Sequence, residues 1–157
     1  MKVVLTTPIN PKGLEILEEV VQVVILKQGT PEELAEEARE ADGILFRGSL
    51  RCPAELIQGA PRLRVIGRYG VGYDNVDVVA ATAAGIPVII TPGANTETVA
   101  EQAWALLLAL ARRLPFWHRA VLEGRWNCRY SEESISIDGK MVGLIGLGRI
   151  GDRKSVV

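Results

Sequence analysis

The sequence holds one histidine in 157 residues, His118. With a single imidazole and no acid paired to it, no Ser-His-Asp or Cys-His arrangement can be assembled. His118 therefore reads as a surface or interface residue rather than a catalyst. Cysteine is nearly as scarce. Cys52 and Cys128 lie far apart and lack C-x-x-C spacing. That excludes a disulfide framework and a metal site, and it fits two reduced thiols of a cytoplasmic protein. Charge of one sign is also missing: Lys+Arg number 18 against Asp+Glu 19, a net charge of −1. No electrostatic footprint for nucleic acid or for an anionic membrane follows from that balance. Long apolar runs are absent as well. The longest, Ala103 to Ala111, has nine residues between Gln102 and Arg112, where a spanning helix needs about 20. Met1-Lys2-Val3-Val4-Leu5 carries one charge, then turns polar and meets Pro8, so no secretory signal is expected. A soluble protein is the expectation.

What is present is enough apolar residue for a core. Hydrophobic residues make up 48% and charged residues 24%, which excludes a disordered chain. The length suits one domain or one and a fraction.

Along the chain, short β-branched runs alternate with helical patterns. Val3-Val4-Leu5 is a strand. Asn10-Pro11, a cap residue followed by Pro at the first helical position, opens a helix carrying Leu14, Ile16, Leu17 and Val20. Val20 to Leu26 reads as the second strand. Thr30-Pro31 repeats the cap signature and starts a helix to about Ala41. Its Glu32, Glu33, Glu36, Glu37 and Glu40 read as a solvated face, because no His or Cys accompanies them. Gly43 to Phe46 is the third strand, Pro53 to Ile57 a helix, Leu63 to Gly67 the fourth strand, Val76 to Ala84 a helix and Val88 to Ile90 the fifth strand. Strands of this near-continuous apolar kind, each followed by a helix, predict an α/β fold: a parallel sheet with right-handed crossovers and helices on both faces.

The character changes after Thr91-Pro92-Gly93-Ala94-Asn95, and a domain boundary is placed near Asn95. Thr98-Val99-Ala100-Glu101 has the form of a capping box. The helix after it, Val99 to Leu114, is apolar on nearly every side, with Trp104, Leu106, Leu107, Leu108 and Leu110. Such a helix is buried between layers or subunits. A second helix runs from Leu114 to about Glu123. Gly124 to Asp138 is irregular and polar, with Trp126 as its one large anchor. Then Met141 to Ile145 reads as a buried strand entering Gly146-Leu147-Gly148-Arg149-Ile150-Gly151, a complete G-x-G-x-x-G. Gly146 would make the tight turn, Gly148 would let backbone approach a pyrophosphate, and Gly151 would let the next helix pack on the strand. N–H groups at that helix start would face the anion. An acidic residue about 20 positions further on would bind the ribose; only Asp152 to Val157 follow here.

In open α/β sheets, ligands bind beyond the carboxyl ends of the strands. Three loops take that position: Arg47-Gly48-Ser49, Gly70-Val71-Gly72 and Gly93-Ala94-Asn95. They offer a guanidinium fork, a hydroxyl, exposed backbone and an amide, a set suited to a small carboxylate or phosphate. Two readings stand at this point: that site, or glycines that only make turns and an Arg47 that only pairs an acid.

Four motifs in order then point to a family. They are Arg68-Tyr69-Gly70-Val71-Gly72-Tyr73-Asp74-Asn75-Val76-Asp77, Gly85-Ile86-Pro87-Val88, Thr91 through Glu101, and Gly143 through Gly151. Over residues 1 to 151 the chain resembles the D-isomer-specific 2-hydroxyacid dehydrogenases. The resemblance implies a flavodoxin-like five-stranded substrate domain, residues 1–95. It implies the start of a Rossmann NAD-binding domain over 96–157, truncated after its first turn. It also implies hydride transfer between NAD and a D-2-hydroxy acid. By resemblance, Arg47, Gly48 and Ser49 face the substrate, the backbone of Val71 and Gly72 grips its carboxylate, and Asn95 lies nearby. Val71 and Thr98 would approach the nicotinamide, and Gly146, Gly148, Arg149, Ile150 and Gly151 the pyrophosphate. The helix from Val99 and the loop with Trp126 resemble subunit-contact elements, which implies a homodimer through Val99–Glu123.

The family's catalytic Arg, Glu and His and its ribose-binding acid fall beyond the glycine motif, so NADP is not excluded as the cofactor. For the same reason no catalytic residue is expected in this chain, and the chain alone is expected to be inactive. Asp152 to Val157 does not resemble the family's small, apolar helix there and reads as a frameshift, a premature stop or an added scar. A non-catalytic carboxylate- or phosphate-binding module with an oligomerising helix is the alternative, and glyoxylate or hydroxypyruvate reduction shares the same motifs.

Overall fold

A computed structural model describes residues 1–154 of the chain. It divides into two compact units, Met1–Ala94 and Asn95–Val157. The first unit contains β1 (Lys2–Leu5), α1 (Pro11–Glu18), β2 (Gln22–Ile25), α2 (Pro31–Ala38), β3 (Gly43–Phe46), α3 (Ala54–Gln58), β4 (Val65–Arg68), α4 (Val78–Ala83) and β5 (Val88–Ile89). All five strands are parallel, in the order β2-β1-β3-β4-β5. This is the flavodoxin-like arrangement, whose strand order reverses between β1 and β3.

The apolar runs form strands because both faces of the sheet are covered. Neighbours Val4 and Leu5 point to opposite faces, and neither is exposed to solvent. Ile44, Phe46 and Ile66 from the strands pack with Leu34, Ala38, Leu56, Ile57 and Ala81 from the helices. Each large side chain so buried contributes about 1.5–3 kcal/mol. Two strands begin later than the sequence suggests. Val20 and Val21 donate their N–H groups to the Leu17 carbonyl, at 3.1 and 2.9 Å, and so close α1 rather than open β2. Leu63 is buried, but its N–H bonds Ala60 in the turn before β4.

The caps of the first unit form as their residues require. Asn10 accepts from the Lys12 N–H at 3.0 Å, and Thr30 from the Glu33 N–H at 3.2 Å. The acidic face of α2 is not merely solvated. Lys2 Nζ lies 2.7 Å from Glu37. The Glu33 carboxylate accepts from the N–H groups of Lys27, Gln28 and Gly29 at 2.8, 2.9 and 2.9 Å. These bonds, Lys27 first, hold its pKa below the usual carboxylate value. A depressed folded-state pKa means that the ion stabilises the fold at neutral pH. That contribution is lost as the pH falls below about 4 and the carboxylate takes up its proton. Glu33→Gln should therefore flatten the fall of the thermal midpoint on acidification, and hydrogen exchange at Lys27, Gln28 and Gly29 should quicken. An unchanged acid limb in calorimetric scans would contradict this role.

The second unit contains α5 (Thr96–Ala111), α6 (Leu114–Leu122), a 3-10 turn (Trp126–Tyr130) and α7 (Arg149–Lys154). Four expectations are corrected here. The first is the capping box. The helix begins at Thr96 and its first carbonyl acceptor is Asn95, which receives the Val99 N–H at 3.0 Å. Thr98 is therefore inside the first turn rather than at the cap. Second, within a single copy of the chain only Ala100 of α5 is buried, which corrects burial between this chain's own layers and leaves burial against a second subunit as an expectation. Leu106 and Leu110 are 61% and 81% exposed.

Third, Trp126 is 60% exposed and is not the anchor of its segment within this unit. That work falls to the α5–α6 corner. Trp117 Nε1 donates to Ser134 Oγ at 2.7 Å, Arg113 pairs with Glu132 at 2.7 Å, and the Arg113 guanidinium sits 4.4 Å from the Phe116 ring centre. Fourth, Met141 to Ile145 is not a strand. Met141 and Ile145 are fully open to solvent, and no N–H group between 141 and 148 donates to a described backbone oxygen. A strand needs a neighbour to take its hydrogen bonds, and no described strand lies in this unit. Helix α7 does continue through Lys154, despite its charged composition; Ser155 to Val157 lie outside the described residues.

Candidate functional site

The pairing of Phe46 with Arg68 and of Gly67 with Ile89 brings the ends of β3, β4 and β5 side by side. Of the three expected loops, Arg47-Gly48-Ser49 and Gly70-Val71-Gly72 therefore leave from adjacent strands of the first unit. Gly93 and Ala94 end that unit, and the Thr91 N–H ties their loop to the Gly70 carbonyl at 3.0 Å. Asn95 and Thr98 belong to the second unit.

A residue not anticipated from the sequence, Thr6, holds the first loop. It follows β1 and is buried. Its hydroxyl accepts the Arg47 N–H at 2.8 Å and donates to the Arg47 carbonyl at 2.9 Å. Arg47 itself is exposed. It donates to the Pro8 carbonyl and lies 5.3 Å over the Tyr69 ring. Among the described residues no acid pairs with it, so the reading of Arg47 as an acid's partner does not hold. Its remaining N–H groups face outward from a fixed stem. Ser49 and Gly72 are exposed and Val71 is half-buried. Among the described residues, the backbone N–H groups of Gly48, Ser49, Val71 and Gly72 have no protein acceptor. Unpaired N–H groups on loops that also carry a guanidinium are a donor set suited to an anion.

Two further residues bear on the loops. Arg68 ends β4, and Asn75 follows the Gly70–Gly72 turn. Arg68 donates to Asn75, to Phe46 and to Tyr69. A charged residue closing a buried apolar strand was the signal in the sequence that could have marked it.

In the second unit, the glycine motif makes the turn expected of it. Gly146 has φ +92°, and a Cβ on Gly151 would run into the Gly146 carbonyl oxygen. Nothing lies within 4 Å of a Cβ placed on Gly148. Arg149 and Ile150 open α7, and Arg153 ties it to α5 through Glu97 at 2.8 Å.

His118 is exposed on α6. Cys52 is fully buried; burial, and then the nearby Asp77, push its thiol up to about 12, so it is inert as a nucleophile. Among the described residues no cluster of His, Cys, Asp and Glu could hold a metal, and no helix is long and apolar enough to cross a membrane. A concavity of about 520 Å3 lies at the opposite edge of the sheet, around Met1, Lys2, Gln22, Glu40 and Arg62. Its two cationic side chains are already paired, Lys2 with Glu37 and Arg62 with Asp42. The Lys2 N–H, and then Arg62, hold the Asp42 pKa low. The strand-end loops carry the unmatched donors and are the better candidate.

Comparison with known proteins bears on the same segments. Residues 3–142 match the family model described as D-isomer specific 2-hydroxyacid dehydrogenase, catalytic domain. A D-3-phosphoglycerate dehydrogenase of Archaeoglobus fulgidus is 43% identical over 152 residues, which cover 96% of this chain and 29% of that protein. The solved NAD-dependent formate dehydrogenase of Staphylococcus aureus, in complex with NAD, superposes with a TM-score of 0.85 at 30% identity, covering 99% of this chain and 52% of that one. The NADPH-dependent glyoxylate/hydroxypyruvate reductase of Sinorhizobium meliloti, solved with NADP and malonate, superposes at 0.81 with 36% identity, covering 99% of this chain and 49% of that one. The chain thus spans under a third of the first relative and about half of each solved neighbour.

Proposed function

The chain belongs to the D-isomer specific 2-hydroxyacid dehydrogenase family, and from that premise we propose that it carries the substrate-recognising part of a nicotinamide-dependent dehydrogenase acting on a D-2-hydroxy acid. The observation that carries this reading is the set of unpaired N–H groups at Gly48, Ser49, Val71 and Gly72, beside the outward face of Arg47. Such donors recognise a carboxylate through charge-assisted hydrogen bonds and leave a hydroxyl-bearing carbon free to react. D-3-phosphoglycerate is the substrate we favour, in line with the Archaeoglobus relative. The Sinorhizobium neighbour favours glyoxylate or hydroxypyruvate as the second reading.

For the cofactor, the turn at Gly146 and the close approach of Gly151 fit a diphosphate, with Arg149 and Ile150 offering N–H groups at the start of α7. NAD is our choice. When bound, it would accept the hydride from C2 of the substrate. Val71 and Thr98 are the residues we assign to its nicotinamide end, Asn95 completes the substrate set, and a homodimer through Val99–Glu123 is the proposed assembly.

The test is a titration of the labelled chain with D-3-phosphoglycerate. Saturable amide shifts are expected at Gly48, Ser49, Val71 and Gly72. Because Arg47 is exposed, its contact should sit near the low end for a charged hydrogen bond, about 1.5 kcal/mol. Arg47→Ala should thus weaken binding roughly tenfold. Shifts confined to the Glu32–Glu40 face would overturn the assignment.

A further inference from the structure

The two candidate loops share one closure. The Arg47–Ser49 loop leaves β3 at Phe46, and its far end is Leu50. The Phe46 carbonyl accepts from Arg68 Nη1 at 3.3 Å, and the Leu50 carbonyl accepts from Asn75 Nδ2 at 2.7 Å. Arg68 Nε in turn donates to Asn75 Oδ1 at 3.2 Å. The same pair spans the other loop. Arg68 Nη1 donates to the Tyr69 carbonyl at 3.1 Å, at the start of the Gly70–Gly72 turn, and Asn75 stands at its end. The main chain locks this end in place. The Cys52 N–H donates to the Asn75 carbonyl at 2.7 Å, and the Asp77 N–H to the Cys52 carbonyl at 2.9 Å, which forms an isolated parallel bridge between Cys52 and Val76. Arg68 Nη1 and Asn75 Nδ2 each reach a carbonyl at the edge of a loop, and Asn75 Oδ1 takes up the guanidinium through Nε.

We propose that Arg68 and Asn75 act as a positioning pair that fixes the Arg47-Gly48-Ser49 and Gly70-Val71-Gly72 loops relative to each other, so that both present their N–H groups to one anion. This rests on the reading of those loops as the substrate-carboxylate site. The chemistry demands these residue types. Only a guanidinium can donate to Phe46, Tyr69 and Asn75 from one planar head; an ammonium is a point donor without that fork. Only an amide can both accept from Arg68 and donate to Leu50. Neither residue touches the ligand; both act through backbone they hold.

The experiment compares the wild-type chain with Arg68→Lys and Asn75→Ala, reading amide hydrogen exchange without ligand and D-3-phosphoglycerate binding by amide shifts. Exchange at Gly48, Ser49, Val71 and Gly72 should quicken together in both variants, while core amides such as Ile44 and Ile66 keep their protection. Binding should weaken about tenfold, the equivalent of one to two lost hydrogen bonds. A merely structural pair would lower protection evenly, core included, and that result would overturn the proposal; so would loops that exchange as in the wild type. If the wild type binds no D-3-phosphoglycerate, the anion-site reading fails on its own, and the exchange data still decide whether the pair couples the loops. Should Arg68→Lys not fold, Asn75→Asp serves instead. It keeps an acceptor for Arg68 and replaces the donor to Leu50 with a carboxylate oxygen, so exchange should quicken at Gly48 and Ser49 first; no change there would overturn the pair.

Discussion

Purified chain supplied with NAD and D-3-phosphoglycerate should form NADH no faster than the blank. Oxidising a 2-hydroxy acid requires a base to take the hydroxyl proton as the hydride leaves. A positioned base is typically worth 10²–10⁴-fold in rate. The natural choice, an imidazole, exists here once. His118 is exposed on α6, and among the described residues no acid or carbonyl holds its ring. A base that nothing orients samples many directions and loses the advantage of fixed geometry. The candidate loops contribute donors and a cation, groups suited to holding an anion but not to taking up a proton. Cys52 cannot substitute, because its thiol is buried and pushed up to about 12. The expected result is thus binding without turnover. A measurable rate that His118→Ala abolishes would refute the argument, and a rate that survives it would point to a base elsewhere in the chain.

How much of this was legible in the sequence depends on where the partners of each segment lie. Gly43 to Phe46 was readable to the residue, because a strand covered on both faces has to be apolar throughout, and its neighbours β1 and β4 are in the chain. Met141 to Ile145 has the same look, yet it is irregular and exposed. Composition records what a segment can pair with, not whether the pairing occurs. Glu33 shows the converse. It sat in an acidic stripe that looked solvated, but three N–H groups converge on it from a turn four to six residues upstream. Helical periodicity carries no information about that turn.

The loops followed from fold logic, since parallel strands put their carboxyl ends on one edge. The residues that hold them did not. Thr6 reaches Arg47 across 41 residues, and Asn75 reaches Leu50 across 25. Those contacts depend on strand order, which nothing in the alternation of strands and helices specifies. Trp126 failed as an anchor for a similar reason: a large ring marks burial only where something covers it, and in this unit Ser134 and Glu132 go to Trp117 and Arg113 instead.

Self-association is the second large effect expected. Helices α5 and α6 expose Leu106 at 61%, Leu108 at 40%, Leu110 at 81%, Leu114 at 54% and Leu122 at 74%. Leu106 and Leu110 lie one turn apart on the same helical face. Apolar surface that gathers into a contiguous patch is rarely left in water. Given their starting exposure, each leucine would gain about 1–2 kcal/mol on burial. Across two copies the leucines supply on the order of 10–20 kcal/mol, against an association cost of about 4–15 kcal/mol. The balance favours a dimer, with a dissociation constant around micromolar corresponding to about −8 kcal/mol.

Leu106 and Leu110 are the residues to change, since Leu107 is half-buried within the unit and a charge there would disturb folding as well. Leu106→Lys with Leu110→Lys removes two apolar groups from each copy and sets like charges across the contact. Sedimentation should then show monomer at concentrations where the unsubstituted chain is dimeric, with the five-stranded sheet of the first unit intact by circular dichroism. If the unsubstituted chain already sediments as a compact monomer at high concentration, the face is covered by something other than a second copy, and the proposed assembly through Val99–Glu123 is wrong.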